Sequence, residues 1–149
     1  MSLALIAIGL AVLCLSILLW IKRTRTKHML EQHSITPEAL HSLLASKPEI
    51  LLLDVRQPLD LLSDSEIIVG AKRIPPQEVL DNPSLIPREK DLVAYCTCPG
   101  DKTSRAIIRR ARALHFDRVK FLKGGLAAWK AKGYPVEPYL ESFHLNTAT

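Results

Sequence analysis

Asp91-Leu92-Val93-Ala94-Tyr95-Cys96-Thr97-Cys98-Pro99-Gly100-Asp101-Lys102-Thr103-Ser104 is the stretch on which the fold turns. Its opening is a short apolar run of the kind that forms a buried strand. A loop follows, and then a helical pattern from about Ser104. Ile107, Ile108, Ala111 and Leu114 fall on one face of that helix, and Arg105, Arg109 and Arg112 point elsewhere. A cysteine therefore stands where a strand ends and the chain turns into a helix N-terminus. Free backbone N–H groups and the positive end of the helix dipole stabilise an anion there, which favours a reactive thiolate. The competing reading is a buried, inert cysteine, since a thiol often serves as a small hydrophobe.

The same punctuation extends on both sides. Ile50-Leu51-Leu52-Leu53-Asp54-Val55 is a continuous apolar run, as in a parallel strand covered on both faces, and Arg56-Gln57-Pro58 breaks it. Ahead of it, Thr36 is an N-cap, Pro37 suits the first helical position, and Leu40, Leu43 and Leu44 form the apolar stripe. Lys47-Pro48 ends that helix. Ile67-Ile68-Val69 is a shorter strand candidate, Pro75–Leu80 opens a short helix, and Val119–Leu122 is the last strand. Gly124-Gly125 starts a final helix through Trp129, which Gly133-Tyr134-Pro135 stops. Strands alternating with helices give an α/β sandwich with a mostly parallel sheet, whose crevice lies beyond the C-terminal strand ends. Cys96 is at one of those ends.

The amino-terminal segment is of another kind. From Leu3 to Ile21 no residue is charged. As a helix this run is roughly 28 Å long, close to the ~30 Å hydrocarbon core of a bilayer. Trp20 sits where an interfacial aromatic belongs. A cleaved signal peptide fits poorly, because there is no basic n-region and no small-x-small site after the apolar run. A lipid on Cys14 would need a small residue where Leu13 stands. Residues 1–21 are thus read as one transmembrane helix and 22–33 as a basic juxtamembrane connector. Lys22, Arg23, Arg25 and Lys27 crowd one flank, which places the soluble part in the cytoplasm of a single-pass cell-membrane protein. The same cluster can hold anionic lipid head groups.

Those four cations carry most of the net charge of +5, so the pI near 9.3 is no argument for nucleic-acid binding. The three cysteines make no disulfide framework, and Cys96 and Cys98 without a second Cys or His pair make no zinc site of ordinary spacing. His28, His33, His41, His115 and His144 are scattered and read as surface or packing residues. No metal and no cofactor is expected.

Four pieces in order resemble one family. Leu53-Asp54-Val55-Arg56-Gln57-Pro58 resembles the Asp-Val-Arg-Glu-Pro element of rhodanese-like domains, and Gly70-Ala71-Lys72-Arg73-Ile74-Pro75 their Gly-Ala-x-x-Ile-Pro element. Val93-Ala94-Tyr95-Cys96 is similar to the strand that delivers their active-site cysteine. Leu122–Trp129 with Gly133-Tyr134-Pro135-Val136 is similar to their C-terminal signature. The resemblance implies a rhodanese-like three-layer sandwich over residues 34–138, with 139–149 as a tail. It implies Cys96 as the sulfur-carrying nucleophile, in a loop of Thr97, Cys98, Pro99, Gly100, Asp101, Lys102, Thr103 and Ser104. A small sulfur donor, a thiol or cyanide acceptor and a protein sulfur acceptor are the partners it implies.

Two departures stand out. The family loop runs Cys, four residues, Arg; here Asp101 holds that place and the first cation is Lys102, which lacks the flat fork of Arg. Ile67 replaces the common His before the Gly-Ala element. Asp54 and Arg56 either shape the pocket or pair with each other and the backbone to fix the loop after their strand. Three functions are open: a membrane-anchored sulfurtransferase using Cys96, a thiol–disulfide protein using Cys96 and Cys98, and a non-catalytic interaction module. A phosphatase-like reading would want Arg where Lys102 stands.

Overall fold

The computed structural model of the chain describes residues 2–97, 102–116 and 118–140. It divides into two units, residues 1–32 and 33–149.

The first unit is one helix, α1 (Ser2–Gln32). Residues Ile6–Arg25 have a mean hydropathy of 2.0 and none of this stretch is buried, so α1 is long and apolar enough to cross a membrane. The helix runs unbroken through the residues set apart as a polar connector. Nothing in Lys22–Gln32 is a helix breaker, since it holds no Gly or Pro.

The second unit is built on a five-stranded parallel sheet. Its strands are β1 (Ser34–Ile35), β2 (Leu51–Asp54), β4 (Lys72–Arg73), β5 (Leu92–Tyr95) and β6 (Val119–Leu122), in the order β1-β6-β5-β2-β4. β5 is central, flanked by β2 and β6, with Asp54 opposite Tyr95 and Ala94 opposite Phe121. All four of its residues are buried, as a parallel strand covered on both faces requires. Two further strands, β3 (Glu66–Ile68) and β7 (Val136–Pro138), pair antiparallel as a separate ribbon. The expected strand at Ile67–Val69 thus starts one residue earlier and lies outside the main sheet.

Helices α2 (Pro37–Ser46), α3 (Pro58–Ser63), α4 (Pro76–Asp81), α5 (Lys102–Ala113) and α6 (Gly125–Ala131) fill the connections. Thr36 caps α2 as its sequence predicts, its hydroxyl accepting from the Ala39 amide at 3.3 Å with Pro37 in the first turn. The main core gathers Leu40, Leu52, Ile68, Val93, Tyr95, Leu126 and Trp129, from α2, α6, the ribbon and one face of the sheet. Trp129 is 1% exposed, and its indole N–H donates to the Pro135 carbonyl at 3.0 Å. Of the expected α5 core positions, Ile107 and Ala111 are buried, and Leu114 is half-buried just past the helix end. Arg109 is exposed. His41 lies on the surface, stacked on the Tyr134 ring at 4.2 Å.

α6 is tied to the ribbon by charge. The Lys130 ammonium contacts Asp64 at 3.0 Å and Glu66 at 2.5 Å. Burial pushes the Asp64 carboxyl up, but hydrogen bonds from Lys130 and from the Glu66 amide outweigh it and hold it below its ordinary value. Lys130 is raised by its bonds to Glu66 and Asp64. A depressed carboxyl contributes stability above its unfolded pKa, and that contribution is lost as pH falls through the folded value. A raised ammonium contributes below its unfolded pKa and loses that contribution as pH rises through the folded one. The contribution of this pair, read by urea unfolding, is therefore constant between about pH 5 and pH 10 and falls away on the acid side below about pH 4. In Lys130→Met the acid arm is shallower, by less than about 1 kcal/mol because the pair is at the surface. An unchanged acid arm in that variant contradicts the assignment.

Candidate active site

The C-terminal edge of the parallel sheet places three strand ends side by side. β2 ends on Asp54, β4 on Arg73 and β5 on Tyr95. The ladder continues past them, with the Val55 amide donating to the Tyr95 carbonyl and the Ile74 amide to the Asp54 carbonyl, both at 3.0 Å. Cys96 is the next residue after β5 and is 7% exposed. Its position is the one its sequence context predicts, and its thiol is almost withdrawn from bulk water. Thr97 follows, half-buried, with a buried hydroxyl oxygen that finds no partner among the described residues.

The remaining loop residues divide. Cys98, Pro99, Gly100 and Asp101 lie outside the described residues. Lys102, Thr103 and Ser104 were expected in the loop. Their backbone forms the first turn of α5, which starts two residues earlier than about Ser104, a shift ordinary for helix ends.

Asp54 and Arg56 are both 0% exposed. The Arg56 guanidinium approaches the Asp54 carboxylate side-on: Nε donates to Oδ1 at 3.0 Å and Oδ2 at 2.9 Å, and Nη2 to Oδ2 at 2.7 Å. The Arg56 backbone amide adds a fourth bond to Oδ1 at 3.0 Å. Two donors remain directed at the backbone, Nη1 to the Asp64 carbonyl at 2.9 Å and Nη2 to that of Glu66 at 2.8 Å. The pair thus spends its hydrogen bonds on itself and on the chain around α3 and β3. These bonds tie the loop after β2 to the chain entering the ribbon.

Tyr95 joins that network from the residue before Cys96. Its ring is fully buried and its hydroxyl oxygen accepts from the Ile68 amide at 3.1 Å. Burial, and then the Asp54 carboxylate, push the phenol far above its ordinary pKa, so it stays protonated. The backbone before Cys96 is therefore held by the sheet, by Ile68 and by the buried ion pair.

On its other side Cys96 meets the turn between β6 and α6. Gly124 and Gly125 both have positive φ, 71° and 57°. A Cβ built on Gly125 would fall on the Cys96 carbonyl oxygen, well inside van der Waals contact, and 3.0 Å from the carbonyl carbon. The sequence marks this glycine pair as a helix start and as part of the C-terminal signature, not as a contact of Cys96. The available signal was the pair itself, because consecutive glycines at a strand end mark positive φ or close backbone approach.

A family model for the rhodanese-like domain matches residues 36–132, a span holding β5, Cys96 and both glycines. The chain belongs to the rhodanese-like domain family. A sulfurtransferase of Allochromatium vinosum is 30% identical over 104 residues, covering 70% of this chain and 94% of that one. The probable adenylyltransferase/sulfurtransferase MoeZ of Mycobacterium tuberculosis is 32% identical over 104 residues, covering 68% of this chain but 26% of that protein. This chain thus spans about a quarter of that protein's length. Among solved structures, the rhodanese-like domain of the Anabaena protein Alr3790 superposes with a TM-score of 0.60 at 31% identity, covering 78% of this chain and 87% of that one. The rhodanese-like fold with its mostly parallel sheet, and a sulfur-transfer role in general terms, are thereby shown.

Proposed function

We propose that the protein is a membrane-anchored sulfurtransferase that carries sulfane sulfur as a persulfide on Cys96. One observation carries this reading: Cys96 stands directly beyond the C-terminal end of the central parallel strand, inside the rhodanese-like span. The Cys96 thiolate attacks the outer sulfur of a donor such as thiosulfate. The new S–S bond forms as the donor's S–S bond breaks, and sulfite leaves with the bonding pair. An acceptor thiolate, or cyanide, then attacks the outer sulfur of the persulfide and restores the Cys96 thiolate. With a thiol acceptor the transferred sulfur remains sulfane sulfur, and with cyanide it leaves as thiocyanate, so no outside oxidant or reductant enters. Backbone N–H groups of the loop and the first turn of α5 suit the anion present at each stage. Lys102, in that turn, is the first cation after Cys96 in the sequence. Intact-mass measurement after exposure of the full chain to thiosulfate and to polysulfide tests the reading. A gain of one sulfur from either donor supports it, and no gain from both defeats it.

α1 supports the anchor. It carries the apolar span, and Lys22, Arg23, Arg25 and Lys27 follow the uncharged run that ends at Ile21. With positive charge retained inside, the domain faces the cytoplasm. A reporter active only outside the cytoplasm, fused after Thr149, is expected to be silent; an active reporter overturns the orientation. Mature protein that begins near residue 20 would overturn the anchor.

A further inference from the structure

Main chain packs directly against the Cys96 peptide. Tyr95 is locked on one side, and on the other the bare Cα of Gly125 lies against the Cys96 carbonyl. That carbonyl shares a rigid peptide plane with the Thr97 amide. Whatever sets the direction of the Cys96 oxygen also sets the direction of the Thr97 N–H. This is the first amide after the thiol, and so the first available to a negative charge on sulfur. A side chain at position 125 would push the oxygen away and rotate the amide with it. α6 cannot readily retreat to make room, because Trp129 is buried in the core and Lys130 is paired with Asp64 and Glu66.

We infer that Gly125 is a positioning residue for the sulfur-carrying cysteine. Its lack of a side chain lets the turn between β6 and α6 seat on Cys96 and orient the Cys96–Thr97 peptide toward the anion. The inference rests on Cys96 being the sulfur carrier. Gly124 provides the control. It shares the turn and a positive φ of 71°, but a Cβ there would meet the Ala128 side chain at 2.6 Å, not Cys96. Strain from φ is common to both positions, and contact with the cysteine belongs to Gly125 alone.

The test uses the full chain in detergent micelles, with Cys14 and Cys98 replaced by alanine so that one thiol reacts. Alkylation of Cys96 by iodoacetamide is followed against pH, together with single-turnover sulfur loading. Gly125→Ala is expected to raise the midpoint of the alkylation profile by about one pH unit and to slow loading at least about tenfold. Gly124→Ala is expected to lower the melting temperature and leave the profile in place. A folded Gly125→Ala protein with an unshifted profile overturns the inference, and so does an equal shift in Gly124→Ala.

Should Gly125→Ala not fold, the same single-cysteine background decides the matter. With 15N-glycine labelling the chain offers six glycine amides. The Gly125 signal should move with the Cys96 thiol titration, and Cys96→Ser should abolish that movement. A Gly125 signal indifferent to the thiol overturns the inference. Failure of that background to gain sulfur strikes instead at Cys96 as carrier. The two claims therefore fail separately.

Discussion

Arg56→Met is expected to be the most destabilising single change in the domain. The guanidinium is 0% exposed and supplies three hydrogen bonds to the Asp54 carboxylate. Methionine fills much of the same volume but leaves a buried carboxylate without its cation, and the carbonyls of Asp64 and Glu66 without these donors. Breaking a buried pair in this way costs on the order of 3–5 kcal/mol, against roughly 5–15 kcal/mol for a whole domain. Urea unfolding followed by circular dichroism measures it. Asp54→Leu combined with Arg56→Met should recover a good part of the loss, because no lone charge then remains buried. A stability loss below about 1 kcal/mol in Arg56→Met would place the pair among ordinary surface contacts and contradict its role in fixing the site.

Cys96→Ser is expected to reduce sulfur transfer from thiosulfate to a thiol or to cyanide to the uncatalysed background. Serine differs from cysteine by one atom and leaves the backbone unaltered, so the melting temperature should stay within a few degrees. A hydroxyl at neutral pH neither attacks sulfur nor holds a persulfide. Cys98→Ala separates the remaining alternatives. With a packing or surface role for Cys98, the variant transfers sulfur at a rate close to wild type. As the second thiol of a pair, Cys98 attacks the Cys96 persulfide after polysulfide treatment, releasing sulfide and leaving a disulfide between the two. Wild type then shows a loss of two hydrogens, and Cys98→Ala accumulates persulfide. Full transfer in Cys96→Ser would move the carrier elsewhere.

The parts of this fold that were legible in the sequence are those where burial dictates composition. β2 and β5 are buried on both faces and could be read from their apolar runs, and β6 from Val119, Phe121 and Leu122 around the exposed Lys120. Thr36-Pro37 announced α2 because a cap and a fixed φ are local chemistry. β1 and β4, at two residues each, are too short for any period to show, and they exist because neighbouring strands offer a ladder. β7 ends on Pro138, a residue that disfavours strands, and forms because β3 supplies an antiparallel partner. α3 was hidden behind the proline that begins it. At the site, Cys96 was legible from the strand-to-helix punctuation. The contact of Gly125 with Cys96 was not, because it joins residues far apart in the chain. Nor were the Arg56 bonds to the carbonyls of Asp64 and Glu66, since a carbonyl acceptor leaves no trace in residue type.

Transfer through a Cys96 persulfide is tested most directly by following the sulfur atom. The full chain is loaded with thiosulfate carrying a heavy sulfur isotope at the outer position, and excess donor is removed. A thiol acceptor is then added, with rapid sampling for peptide mass mapping. The account predicts one labelled sulfur on the peptide containing Cys96, located at Cys96 by fragmentation. It should be lost to the acceptor no more slowly than steady-state turnover. Label on Cys98 or Cys14 alone, or a Cys96 label that the acceptor does not discharge at that rate, would contradict it.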